Sequence, residues 1–179
     1  MRIRPSHRRT AVVFLCGLLL FALARQLNHS LGAWGLSVWF GGLLVAFPAL
    51  RLAPQQGFNT CFLLGLLLDA TNPLPFGLLA FLFSVSHLVI VRLRSRLAAS
   101  EVLIGIVVAL ITNLILYLIV TFTVLAGSPD APFSGLRFLT DLIFSQLLLA
   151  LLAPWFFALQ EKALLIARVG LRDEPSATI

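Results

Sequence analysis

Gly57-Phe-Asn-Thr-Cys-Phe-Leu-Leu-Gly-Leu-Leu-Leu-Asp69-Ala-Thr-Asn-Pro-Leu-Pro-Phe-Gly77 is the stretch on which the fold turns. It opens as an apolar helix and places a carboxylate, Asp69, where that helix is still at membrane depth. It breaks at Asn72-Pro73-Leu74-Pro75, and a second apolar helix follows from Gly77. Gly57, Cys61, Gly65 and Asp69 recur in steps of four and so share one helix face. Small residues at that spacing let two helices approach closely in lipid. A charge at mid-bilayer costs about 2.5–3.5 kcal/mol on insertion scales, which turns such a group toward the protein interior or a polar cavity. Two readings of Asp69 follow. It caps the hairpin by accepting hydrogen bonds from the following turn, or it fixes a site used by a partner or ligand.

The composition around this stretch sets the solvent. Of 179 residues, 60% are hydrophobic and 11% charged, with a mean hydropathy of +1.02. Soluble domains carry about 25% charged residues. The chain therefore reads as an all-α integral membrane protein, since its apolar runs lack the period-two alternation of barrel strands. The surplus of positive charge, +6, belongs to loops beside a bilayer and not to nucleic acid. Cys16 and Cys61 lie inside apolar runs and form neither a disulfide framework nor a zinc spacing.

Six apolar runs are legible: Ala11–Ala24, Leu31–Leu50, Gly57–Ala70, Phe76–Val91, Val102–Leu125 and Phe138–Leu159. The expectation is a bundle of six transmembrane helices over residues 11–166, with a basic cytoplasmic tail at 1–10 and a cytoplasmic C-terminal tail at 167–179, of which 173–179 read as disordered. The basic start, the short first run and Ala22-Leu23-Ala24 also resemble a signal peptide with its cleavage site. Trp34 and Trp39 mark the outer interface of the second run. Asn72 reads as an N-cap and Pro73 as a first helical residue for the fourth run. Gly77, Ala80, Ser84 and His87 form a small or polar seam there, able to pack on the ridge from Gly57 to Asp69. Gly105, Ala109, Asn113, Tyr117 and Thr121 make a stripe on the fifth run, and Pro154 is expected to kink the sixth. With six spans and both termini inside, every Lys and Arg except Arg25 and Arg137 falls on the cytoplasmic side.

Chemistry-bearing motifs are absent from the sequence: no His-Glu-x-x-His, no Gly-x-Ser-x-Gly, no phosphate-binding loop. Asp69 and Asp141 lack any protease signature. Ser84, Ser86 and His87 point in different directions on a helix and read as helix glue. No catalytic residue, cofactor or metal ligand is expected, and the chain is read as no enzyme.

Gly65-Leu-Leu-Leu-Asp69, the turn after it, and Pro75-Phe76-Gly77 in place of a Leu-Gly pair resemble the MreD family of bacterial rod shape-determining membrane proteins. Phe47-Pro48 before a short basic loop and Pro154-Trp155 in the last run agree. Two prolines, Pro73 and Pro75, depart from the small or polar turn usual there. The resemblance implies a non-enzymatic inner-membrane scaffold with both termini cytoplasmic. It would dock an MreC-like bitopic protein within the wall-elongation complex and link MreB filaments to peptidoglycan synthesis. Gly57, Gly65, Asp69, Asn72, Pro73, Pro75 and Gly77 are the candidates for structure or partner docking. The family is also similar in architecture to substrate-binding S-components of energy-coupling-factor vitamin transporters. That supplies the alternative, in which Trp34, Trp39, His29, Asn72, Asp69 and Asp141 line an outward site.

Overall fold

Backbone polar groups in lipid have to be satisfied within the protein, which leaves helices as the default for apolar runs such as these. The computed structural model describes residues 5–72, 74–96, 102–127 and 134–167. Pro73, the ends of both tails and the outer loop at 128–133 lie outside them. The helices are α1 (Pro5–Gly32), α2 (Gly41–Arg51), α3 (Pro54–Thr71), α4 (Leu78–Leu93), α5 (Val102–Gly127) and α6 (Gly135–Ile166), with a 3-10 turn at Arg94–Arg96. No strand occurs among the described residues.

Four of these helices, α1, α4 with its 3-10 turn, α5 and α6, are long and apolar enough to cross a membrane. Several boundaries differ from the reading of the sequence: α1 already begins at Pro5, inside the expected tail, α6 extends at both ends, to Gly135 and Ile166, and the first two runs change most. The first run does not stop at Arg25: α1 continues through Arg25-Gln-Leu-Asn-His-Ser to Gly32, because a helix leaving the bilayer tolerates polar residues. The second run is not one helix. A turn at residues 33–35, with Gly35 at φ +69°, leads into irregular, non-helical backbone over 36–40, and α2 begins only at Gly41.

α2 lies at the centre. Every residue from Gly41 to Leu50 is buried, and the helix packs against α3, α4, α5 and α6. Its glycines permit this: a Cβ on Gly42 would strike the α5 backbone at Ala109 and Asn113. At its C-terminal end the Arg94 guanidinium donates to the carbonyls of Ala49 (3.2 Å) and Leu52 (2.8 Å). There a cation meets the negative end of the helix dipole. Arg51 pairs with Glu161 at 3.3 Å, so the ends of α2, α4 and α6 gather at one end of the bundle. Asn28, Ser37 and Asp141 meet at the other. α6 runs through Pro154 without interruption.

Candidate functional site

Asp69 sits on the last turns of α3 and is 3% exposed. One carboxylate oxygen accepts the backbone N–H of Leu79 (2.9 Å), the other that of Ala80 (3.0 Å). These are the second and third residues of α4, the donors an N-cap side chain ordinarily satisfies. Gly77 stands at the N-cap position with φ +95° and has no side chain to do so. The cap therefore comes from the preceding helix, and the positive end of the α4 dipole faces the carboxylate. Asn72 has a different place from the one its residue type suggests. It ends α3, its backbone N–H and its Nδ2 both donating to Leu68 O. α4 starts at Leu78, after a turn closed by Leu78 N–H to Pro75 O.

Below this cap the ridge lies on the seam. A Cβ at Gly65 would meet the backbone of Ala80, and one at Gly57 would meet the His87 ring and the Pro48 carbonyl. His87 Nε2 lies 2.9 Å from Pro54 O. A carbonyl only accepts, so Nε2 carries the proton, and Nδ1 is left to accept from Cys61 Sγ at 3.8 Å. Ser84 donates to Ala80 O within its own helix and is not engaged with His87. Gly77 leaves the seam, because a Cβ there would touch nothing.

A second set of side chains holds the non-helical stretch at 36–40. Asn28 of α1 pairs with Val38 in both directions, accepting its N–H (2.7 Å) and donating to its carbonyl (2.9 Å). Asp141 of α6 accepts from Ser37 N–H (2.9 Å) and Ser37 Oγ–H (2.8 Å). Ser145 accepts from Trp39 N–H (3.0 Å). Asn113 of α5 accepts from Gly42 N–H (3.0 Å), capping α2 as Asp69 caps α4. Non-helical backbone at membrane depth is tolerated only where such partners exist.

Beside this stretch, between α1 and the end of α3, lies a groove. Its inner part, about 100 Å³, is mostly apolar. Its outer part, about 340 Å³, is bounded by Phe21, Arg25, Asn28, His29, Thr71 and Asn72. No cluster of His, Cys, Asp or Glu able to hold a metal occurs among the described residues.

The sequence matches the family described as rod shape-determining protein MreD over residues 7–163, nearly its whole length. The chain belongs to the MreD family. Neither the curated proteins nor the solved structures returned a match. Membership, with the apolar helices, makes this a multi-pass protein of the bacterial inner membrane and a determinant of rod shape.

In this MreD-family protein the candidate residues divide by position. Gly57, Gly65 and Asp69 are on α3 and Asn72 caps its end, Pro75 and Gly77 are on the turn into α4, and Pro73 falls outside the described residues. The proposed ligand-lining set is brought together only in part. Trp39 and Asn72 line the inner groove and His29 the outer part, whereas both aspartates are turned onto backbone amides and Trp34 is exposed. The sequence reading missed Asn28, Ser37, Ser145 and Arg94 as structural partners. Their only signal is a polar residue in or beside an apolar run.

Proposed function

We propose that this protein is a non-enzymatic scaffold of the rod-shape machinery, docking an MreC-like bitopic partner and linking MreB filaments to peptidoglycan synthesis. The observation that carries the reading is the commitment of six polar side chains within the bundle, most of them buried. Asp69, Asp141, Asn28, Asn113, Ser145 and His87 each hold backbone or a neighbouring side chain in place. Such an interior is built to keep a surface rigid. Because the glycine ridge is covered by α4, it braces the α3–α4 hairpin from within. The surface offered to a partner's helix is the hairpin's apolar outside, where Phe62, Phe81, Val85 and Leu88 are exposed, with Phe76 at the tip.

Six crossings with both termini cytoplasmic fit this arrangement. The non-helical residues 36–40 and α2 together reach at most about 33 Å, and α3 about 27 Å, against a hydrocarbon core of about 30 Å. Residues 11–166 then form the membrane domain, with 167–179 as a tail and 1–10 as a basic start whose residues 5–10 are already the first turns of α1.

The test is a pull-down of the tagged protein in mild detergent from its native host, with cell shape followed during depletion. Recovery of an MreC-like protein or a wall synthase, with loss of rod shape, supports the scaffold. Recovery of transporter ATPases with normal shape would replace it with the S-component reading. Asp69→Ala is expected to weaken partner recovery, and full recovery with that variant counts against the hairpin as the docking element.

A further inference from the structure

The groove between α1 and α3 has features that the scaffold reading leaves unused. Phe21, Arg25, Asn28 and Asn72 line both its parts, so the two form one continuous cleft. Leu20, Ala24, Leu44 and Leu68 make the inner part apolar. The outer part is polar and holds one fixed cation, Arg25, packed at 6.0 Å over the Phe21 ring. No carboxylate lines either part, and Arg25 has no acidic partner among the described residues. Trp39 lines the inner part, and its indole N–H, folded against Gly41, is buried without a hydrogen-bond acceptor. A buried donor without an acceptor is rare and costly in folded proteins.

We propose that this cleft binds an anionic phospholipid, one acyl chain entering the inner slot and the phosphate resting on Arg25. The arrangement matches an amphiphile part by part. The apolar slot takes chain. The Trp39 N–H, closed off against Gly41, donates to an ester oxygen once the entering chain turns the indole outward. His29 and Asn72, whose Nδ2 bonds Leu68 O, line the outer part together with Arg25. Asn28 does not contribute, because Val38 consumes its carboxamide. The cleft lies at the end of the bundle where α1 turns polar, the depth of a lipid headgroup. Guanidinium pairs well with phosphate oxygens, and a choline head would set a second cation beside Arg25.

The test is native mass spectrometry of the full-length protein in an uncharged detergent, titrated with phosphatidylglycerol or phosphatidylcholine. Phosphatidylglycerol is expected to be retained at about tenfold lower concentration, the scale of one charge-assisted contact. Arg25→Gln, at an exposed position, should erase that preference. Ala24→Phe should fill the slot and weaken both lipids. Arg137→Gln, at the same end of the bundle but off the groove, should leave the preference intact, and the melting temperature of lipid-free protein checks each fold. Equal retention of the two lipids by the wild type overturns the proposal. So does a preference that survives Arg25→Gln, or one lost equally with Arg137→Gln. Displacement of phosphatidylglycerol by millimolar inorganic phosphate would reduce the site to a simple anion site and refute the role of the slot.

Discussion

Asp69 shows how one side chain can decide a connection. Both carboxylate oxygens are engaged by α4 amides in a buried place, so Asp69→Ala strands two donors out of water. The expected loss is about 3 kcal/mol, and Asp69→Asn, which keeps one carbonyl acceptor, should lose about half of that; unfolding in a detergent–denaturant series measures both. The two glycines flanking this residue differ in kind. Gly65 is needed for space, since its Cβ would meet α4 backbone, and Gly77 for conformation, at φ +95° with open space around it. Gly65→Ala should therefore cost about 1–3 kcal/mol through overpacking. Gly77→Ala should cost about 1 kcal/mol and Gly77→Asn less, because Asn tolerates the left-handed region. Equal penalties for Ala and Asn at Gly77 would contradict the backbone explanation.

At the scale of elements, the feature to explain is that α2 and α4 take their N-terminal caps from other helices, Asn113 and Asp69. Asn113→Leu should cost about 1–2 kcal/mol, the range for a lost cap, and should raise amide hydrogen exchange at Gly42. Asp141→Ala should free Ser37, so that exchange over 36–40 rises about tenfold for each 1.4 kcal/mol of local stability lost. Unchanged exchange there would mean that Asn28 and Ser145 hold the stretch alone. These elements also separate what sequence could reveal from what it could not. The α3 ridge and the α4 seam were readable because four-residue spacing keeps a short stripe on one face. The α5 stripe was readable only at its start. Each step of four advances about 40° beyond a full turn, so Gly105, Ala109 and Asn113 are buried but Leu116 takes over the core position from Tyr117. The broken second run was hidden. Leu31–Leu50 is apolar throughout apart from Ser37, and two of the side chains that hold its non-helical part, Asp141 and Ser145, lie more than 100 residues away.

For the whole molecule, charge and packing organise the two ends. Arg51, Arg94 and Glu161 gather at one end, Arg25 and Arg137 at the other. The ionic links are unequal. The pair between Arg51 and Glu161 is partly exposed, so Glu161→Gln should change stability by less than about 1 kcal/mol. Arg94→Ala removes a donor from two carbonyls at the end of the central helix and should cost about 1–2 kcal/mol. Thermal melts that rank these two in the opposite order would show that the end of α2 is not held by Arg94.

The central helix also has a consequence for how the chain is made. α2 is synthesised early, yet the side chains that complete its start and the non-helical approach to it arrive 71, 104 and 106 residues later. When this segment leaves the ribosome and reaches the translocon, Asn28 is the one side chain among Asn28, Asn113, Asp141 and Ser145 already made. Its settled form has to await α5 and α6. A nascent chain truncated before Asn113 should therefore hold residues 33–51 in an unsettled state, open to membrane proteases. The last helix to be inserted is what commits the first half of the protein to its final place.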